Sequence, residues 1–527
     1  MVTTPDSGRR ESRAGTPRPR RGAILAVLCV SLLIVSLDST VLNVALPVMV
    51  RLMHASSTQL QWIVDAYSIV FAGLLLVSGS IGDRLGRKWV FVAGLALFAA
   101  GSATSAFSAT PDRLIAARAF MGIGAAAIMP STLSILANVF TLERDRARAI
   151  GIWSGTTGLG VAVGPVAGGW LLDHYWWGSV FLINVPIAAA GLIATLLLVP
   201  NSKDIAGKAP DPVGSVLSVA GLGLLVWGII EAANRTLTSP LVLGSIAGAA
   251  VALAAFGWWE LRSSHPMLEL SFFTSRRFSV AIGAMGLVIF ALVGALFLLT
   301  QYLQFSLGYS PLQTGVRIAP IAAVVLVVAP LSSLLVRHFG TKPVVFTGMA
   351  LIALGLALIS RVTPHGTYTD ALPAFFLLGC GVGLASAPCT ESVMGSLPHS
   401  QAGVGAATNS AALQVGGALG VAVLGSLLNS RYQARMTPVL AHYVIPKSIS
   451  GLITGSLGVA LGVARQVGGP LGAALGTVAR ASFLSGLGLA TAVGAAAVGT
   501  AAMVVVLALP NRSIDRPRRH PDGIQDG

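Results

Sequence analysis

The side chains with the most chemical potential in this chain are ionisable groups inside long apolar runs, above all Asp38, Asp65 and Arg118. A carboxylate or guanidinium at the centre of a spanning helix costs about 2.5 to 3.5 kcal/mol on insertion scales, so such residues point to function. Asp38 lies seventeen residues after Arg21, which on a helix puts it roughly 25 Å above the inner membrane surface. Asp65 and Arg118 enter from the outer side about five or six residues deep, roughly 20 to 23 Å above the inner surface of a 30 Å core. The three groups are therefore expected in one layer. An arginine facing two carboxylates can hold one ionised while the other gains and loses a proton, because nearby charge and burial act on a carboxylate in opposite senses. Asp38 is then a site for proton coupling or for a substrate cation, Arg118 its electrostatic partner, and Asp65 a second acid lining the cavity. A static ion pair that fixes helix register is the alternative.

Other polar residues in apolar runs extend the candidate site. Glu391, late in its run beside Pro388, is either a coupling acid or an interfacial one. Arg317 lies about five residues into its run, a depth from which snorkelling to the surface is easy. Trp62, Tyr67, Gln301, Tyr302, Gln304, Asn409 and Gln414 are candidates for lining a substrate cavity, although Tyr and Trp near span ends also form interfacial belts. Glu231 and Glu260 end two runs and read as interface residues. Cys29, Cys380 and Cys389 sit in apolar runs at no ligand or disulfide spacing and read as packing residues. The eight histidines show no metal-ligand spacing. No GxxxxGK[ST] loop is present to cradle ATP phosphates, and neither an HExxH pair nor a GxSxG elbow supports a membrane hydrolase.

The elements that must position these residues follow from composition. With 54% hydrophobic and 10% charged residues, the chain is too apolar for a set of water-soluble domains. Continuous apolar runs such as Val92 to Ala109 and Ala490 to Leu509 are spanning helices; the alternating segments of a barrel are not seen. Fourteen spans are expected, near 22–50, 59–79, 88–108, 113–136, 147–172, 179–199, 213–232, 239–260, 278–305, 311–336, 343–361, 371–397, 401–428 and 483–509. The Gly-rich stretch 449–464 is short and followed by Arg465, so it reads as part of an external or interface-lying helical pair. The basic tail 1–21 cannot bury a core and is expected to be disordered.

The net charge of +15 raises the prospect of nucleic-acid binding, but the basic residues lie in short blocks between apolar runs and no recognition motif surrounds them. Topology accounts for them better. Six arginines before Gly22, then Arg84, Arg87, Lys88, Arg144, Arg146, Arg148 and the tail arginines Arg512, Arg516, Arg518 and Arg519 all fall on one side if both termini are cytoplasmic. The expected organisation is an N-terminal six-helix bundle over 22–200, a linker with two extra helices over 201–277, a C-terminal bundle over 278–509 with a long external loop at 429–482, and a cytoplasmic tail over 510–527.

The two bundles also repeat. A shift of 254 positions lays "DRLGRKWVFVAG" from Asp83 on "RHFGTKPVVFTG" from Arg337, matching Gly86 with Gly340 and Lys88 with Lys342. In "GSIGDRLGRK" at Gly79 to Lys88, three glycines permit a tight turn between helix ends and Asp83 can pair with Arg84 or Arg87. In "GVAVGPVAGG" at Gly160 to Gly169, Thr156, Gly160, Gly164 and Gly168 form a small-residue face for close helix approach, and Pro165 adds a bend.

With "LDSTVLNVALP" at Leu37 to Pro47 and "RAFMGIGAAAIMPS" at Arg118 to Ser131, these segments resemble the fourteen-span drug:proton antiporters of the major facilitator superfamily, from Gly22 to Pro510. The resemblance implies an all-α fold of two six-helix bundles plus two inserted helices. It implies secondary active export of amphipathic, including cationic, drugs or antibiotics by alternating access. Gly79, Asp83, Arg84, Gly86, Arg87 and Lys88 would form a conformational latch, a role that the second-half copy lacks because Arg337 replaces the acid. Gly160, Gly164, Pro165, Gly168 and Gly169 would form the packing motif that typifies exporters, and Glu391 matches an acidic family position. No cofactor, metal, ATP or nucleic acid is expected; the proton gradient supplies the energy, and the partners are protons, a small-molecule substrate and the lipid bilayer. The expected setting is the cytoplasmic membrane of a bacterium, with the chain working as a monomer. An uptake carrier or uniporter of the same fold, and a polytopic membrane enzyme, are the alternatives.

Overall fold

The computed structural model describes residues 18–203, 210–235, 238–264, 266–363, 366–397, 402–441 and 447–509. Every regular element among them is helical. The N-terminal half holds α1 (Arg18–Met53), α2 (Ser57–Leu85), α3 (Arg87–Ala106), α4 (Pro111–Val139), α5 (Glu143–His174), the single turn α6 (Ser179–Leu182) and α7 (Asn184–Leu198). The inserted pair is α8 (Pro212–Glu231) and α9 (Pro240–Arg262). The C-terminal half holds α10 (Arg276–Gln301), α11 (Pro311–Phe339), α12 (Thr341–Ile359), α13 (Tyr368–Met394), α14 (Ala402–Leu440), α15 (Lys447–Gly455), α16 (Leu457–Val467) and α17 (Gly469–Ala508). Fourteen helical segments among the described residues are long and apolar enough to cross a bilayer.

The sequence repeat has a structural counterpart that is in register to the residue. After the 254-residue shift, α2 and α11 coincide at both ends and α3 and α12 at their first residue. The same local chemistry starts each copy: Ser56 and Gln59 form a capping box before α2, and Ser310 and Gln313 form one before α11. A left-handed glycine ends each copy, Gly86 at φ 115° and Gly340 at φ 87°. Packing repeats too, with α2 and α3 on α4, α1 on α5 and α3 on α7 mirrored by α11 and α12 on α13, α10 on α14 and α12 on α17.

Several segments differ from expectation. The expected turn at Gly79 to Lys88 is mostly helix, because Gly79 and Gly82 lie inside α2 and face Pro130 and Ser131 of α4 at ordinary contact distance. Only Gly86 makes the turn, and Arg87 Nε bonds Asp83 Oδ1 across it at 2.8 Å. Gly86 also abuts Asn201, Arg87 N donates to Ser202 O at 3.0 Å and Lys88 Nζ to Leu196 O at 2.9 Å, so the turn is fastened to the chain leaving α7. The stretch 429–482 contains a helical pair, α15 and α16, as expected, but much of the rest of the expected loop is also helix, taken up by the end of α14 and the start of α17. At roughly 14 and 17 Å, α15 and α16 are too short to span. The helix α1 starts at Arg18, four residues into the expected tail; residues 1–17 and 510–527 lie outside the described residues. Glu260 is buried and accepts from Leu268 N at 3.0 Å, and Glu231 pairs with Arg235 at 3.1 Å.

The inserted hairpin leans on both halves. Asp211 caps α8 and accepts from Trp259 Nε1 of α9, which ties the pair together. Val226 and Ile230 of α8 pack with Ile69 of α2 and Ala418 and Ala422 of α14. Where α8 ends, Asn234 donates to Thr58 Oγ1 at 2.8 Å and accepts from Asn429 at 3.3 Å and Gln433 at 3.1 Å.

The two glycines of α2's last turns should respond differently to a methyl group. Gly86→Ala forces an L-residue into a left-handed conformation against Asn201 and is expected to cost about 1–3 kcal/mol. Gly82→Ala has room and lies in a helix, where alanine is favoured by about 0.5–1 kcal/mol. Apparent melting temperatures of the two purified variants check the contrast; equal shifts would remove the turn's special role.

Candidate functional site

Arg118 of α4 is 1% exposed and Asp38 of α1 is 2% exposed, and Arg118 Nη1 lies 2.5 Å from Asp38 Oδ2. The pair is completed by groups from three further helices. Arg118 Nε donates to Ile63 O of α2 at 3.2 Å, which gives the guanidinium a second acceptor. The Tyr67 ring lies 4.3 Å from Arg118 Cζ and Phe181 of α6 lies 5.9 Å away, so aromatic faces cover the cation. Asn184, the first residue of α7, donates to Asp38 Oδ1 at 3.2 Å and to Ser102 Oγ at 3.1 Å, and Ser102 Oγ donates in turn to Phe181 O at 2.8 Å. Both carboxylate oxygens of Asp38 are thus engaged.

The glycine motif of α5 serves this site directly. A side chain at Gly160 would strike Ser36 and Leu37, and one at Gly164 would strike Thr40, so α5 lies against the turn of α1 that carries Asp38. Gly168 abuts Val41 in the same way. Gly169 faces the other half and abuts Pro311 and Leu312 of α11, while Gly315 of α11 abuts Pro165. The motif therefore has two faces, one holding α1 and one meeting the opposite bundle.

Asp65 is not brought to Arg118. Residues 61, 65 and 69 share one face of α2, whereas Ile63 and Tyr67, which touch Arg118, lie on the opposite face. Gln61 Nε2 donates to Val421 O at 3.1 Å, Ala422 O at 3.0 Å and Ser426 Oγ at 3.2 Å, and Ile69 packs on Ala418 and Ala422. Asp65, one turn from each, faces the seam between α2 and α14. It is 0% exposed, and neither of its carboxylate oxygens has a hydrogen-bond partner among the described residues. The expected arginine between two acids is thus a paired acid inside one bundle and an unpaired acid between the bundles.

The remaining candidates scatter. Gln304, in a turn of π-helix (Tyr302–Ser306) that ends α10, bridges the halves by donating to Val44 O of α1 at 2.8 Å. Tyr302 and Asn409 are buried, with Tyr302 Oη and Asn409 Oδ1 lacking a partner among the described residues, Gln301 donates to Phe297 O of its own helix at 3.1 Å, and Gln414 is half-buried on α14. Trp62 packs beside α8 in the insert's apolar cluster. Arg317 lies under Tyr309, whose ring centroid is 3.8 Å from its Cζ, and beside Tyr368. Glu391 is exposed near the end of α13, in the other half from the Asp38–Arg118 pair. Sequence reading missed Gln61, Ser102 and Asn184. The signal available was a lone amide in an apolar run, as at Asn184 before Pro186.

The halves meet at one end of the molecule and part at the other. At the closed end Ser310 donates to Asp173 at 2.8 Å, beside the contacts of Gly169, Gly315, Gln61 and Gln304. Toward the end that carries Gly86, a methyl group added at Gly151, Gly155 or Gly158 of α5 would meet nothing within 4 Å.

Two six-helix repeats that meet at one end, one of them built around a buried ion pair, define a secondary-transporter architecture. The chain belongs to the Major Facilitator Superfamily, whose family model matches residues 28–421. It is 35% identical over 510 residues to the multidrug efflux pump LfrA of Mycolicibacterium smegmatis, covering 96% of this chain and 98% of that protein. It is 34% identical over 527 residues to the tetracenomycin C resistance and export protein of Streptomyces glaucescens, covering 99% and 96%. In fold it is similar to a bacterial homologue of the human lysosomal transporter Spinster, with a TM-score of 0.64 at 18% identity over 94% of this chain and 98% of that one. It is an integral, multi-pass membrane protein.

Removing one member of the buried pair should cost far more than removing both. Asp38→Asn or Arg118→Gln alone leaves an uncompensated buried charge and is expected to cost about 3–5 kcal/mol, whereas the double variant recovers much of that loss. Apparent melting temperatures of the two single variants and the double variant test this; additive losses would mean the two residues act separately.

Proposed function

We propose that the chain is a proton-coupled exporter of amphipathic, including cationic, drugs or antibiotics, working as a monomer by alternating access across the cytoplasmic membrane of a bacterium. The observation that carries the coupling is the unequal partnering of two buried acids. Asp38 is charge-paired and held by α4 and α7, so it serves as a fixed electrostatic element of the N-terminal bundle. Asp65 lies unpaired on the α2 face that meets α14, the surface that must separate when the closed end opens. A neutral carboxyl there is compatible with a closed seam, whereas a bare carboxylate in the same place carries a large desolvation cost. Proton loss toward the cavity would therefore favour separation of α2 from α14, and proton gain from the far side would favour closure.

The export direction and substrate class rest on the relatives, one named as a multidrug efflux pump and one as an antibiotic export protein. A further relative, 33% identical over 473 residues, is the methyl viologen resistance protein SmvA of Salmonella typhimurium, consistent with an organic cation as substrate. With both termini cytoplasmic, as the basic blocks imply, the open end faces the cytoplasm and admits substrate from inside the cell. The Asp83–Arg87 turn would then steady one conformation by fastening α2 and α3 to the chain after α7.

Everted membrane vesicles test the reading. A fluorescent organic cation is expected to accumulate on imposition of a pH gradient and to leak out when the gradient is collapsed. Asp65→Asn should abolish gradient-driven accumulation while leaving substrate exchange between equal concentrations, because the neutral amide permits closure but carries no proton. Gradient-driven accumulation by Asp65→Asn at the unmodified rate would assign coupling elsewhere, and flux in the unmodified protein that ignores the gradient would overturn antiport.

A further inference from the structure

The closed end carries a cavity of about 470 Å³, whose lining shares no residue with the Asp38–Arg118 centre. It is roofed by α16 and the first turns of α17 and floored by the end of α1 and the π-turn after α10. Its lining includes three arginines, Arg51, Arg465 and Arg480, together with Gln304, and no acidic residue. None of the three makes a salt bridge among the described residues. Three like charges around one concavity focus a positive potential in it.

The sequence leaves this charge without local compensation. From Ser392 to Ile514 there is no aspartate or glutamate, while Arg431, Arg435, Lys447, Arg465 and Arg480 all fall in the segment that forms this end. The site is also shaped. Gly458 seats α16 against Val50 of α1 and Phe305 of the π-turn, and Gly472 lets α17 approach the backbone of Ala464. The Phe305 ring holds Arg51, with Cζ 5.5 Å from its centroid, and Arg465 Nε bonds Leu461 O of its own helix at 3.3 Å, which leaves its terminal nitrogens for another acceptor. Gly476 keeps space open beside the Arg480 guanidinium. Along their helices Arg51 lies roughly 43 Å from Gly22 and Arg480 roughly 42 Å from Ala508, beyond the ~30 Å of hydrocarbon and at or above headgroup level.

We propose that this cavity is a binding site for a phosphate-bearing anion, held by Arg51, Arg465 and Arg480. Guanidinium forks match phosphate oxygens in pairs, which a single ammonium cannot do. The anion comes either from an anionic phospholipid headgroup of the adjacent leaflet or from free phosphate, and the two sources differ in what delivers it.

The test uses the purified full chain in a neutral detergent. Phosphatidylglycerol is added in one arm against phosphatidylcholine, and inorganic phosphate in another against chloride at matched ionic strength. The apparent melting temperature is expected to rise by several degrees with at least one anionic probe. Both exposed side chains can be changed without removing a buried group, so Arg465→Gln/Arg480→Gln should keep the basal melting temperature and lose the rise. Arg431→Gln/Arg435→Gln, outside the cavity, should keep it. A rise with phosphatidylglycerol alone assigns the site to the headgroup, and a rise with inorganic phosphate assigns it to a free anion. No rise with either probe, or an equal rise in the Arg465→Gln/Arg480→Gln variant, overturns the proposal.

Discussion

The buried Arg118–Asp38 pair is the constraint on which the N-terminal bundle depends. Neither lipid nor an apolar core can satisfy a guanidinium, so once Arg118 is placed mid-helix every element around it must supply a partner. Helix α1 supplies the carboxylate, α2 a carbonyl and the Tyr67 ring, α6 the Phe181 ring, and α7 the amide that fills the second carboxylate oxygen. Five elements are thereby fixed about one charge. The small residues of α5 follow from the same demand, since Asp38 can stay dry and paired only if a neighbouring helix closes over its turn, and Gly160 and Gly164 let α5 do so.

That rigid bundle gives the seam its meaning. The polar and close backbone contacts of α2 with α14 and of α5 with α11 are made through side-chain amides, a hydroxyl and glycine backbones, groups that exchange partners without large loss when the surfaces part. Helices in lipid have little hydrophobic drive to stay together, so seams built on close backbone approach can open as units. Asp65 is the exception on that seam, a buried carboxyl with no hydrogen-bond partner among the described residues.

Much of the fold was legible in the sequence because the duplication left residue-level traces. Gly86 and Gly340 are held at positive φ, and Ser56 and Ser310 cap equivalent helices, so the 254-residue shift found in one short segment extends through whole helices. The site was legible in height and not in azimuth. A rise of 1.5 Å per residue places Asp38, Asp65 and Arg118 at a similar depth, but which face Asp65 presents is set by what packs on α2, and the sequence does not name that neighbour. Gly79 and Gly82 read as turn residues by their type, whereas in the structure they lie inside α2 beside Pro130 and Ser131 of α4. Asn184 was overlooked since one amide in an apolar run shows its role only when Asp38 and Ser102, far away in sequence, come within reach.

The inserted hairpin sets a further condition on any opening of the seam. Because α8 packs on α2 and α14 together, separation of those helices must break its contacts with one of them. The polar part of that cost is either the bond from Asn234 to Thr58 of α2 or the two bonds that Asn234 accepts from Asn429 and Gln433 of α14, each worth about 0.5–1.5 kcal/mol net. Either loss comes to about 0.5–3 kcal/mol, comparable with the free-energy gap that separates the two states of an ordinary conformational equilibrium. The apolar part costs less than its area suggests, since Ile69, Val226 and Ala418 exchange one apolar neighbour for lipid. A hairpin of this kind is too weak to lock the closed end and strong enough to bias it. Its weight falls on the same α2–α14 surface as Asp65, so the two terms add in setting how readily that surface parts.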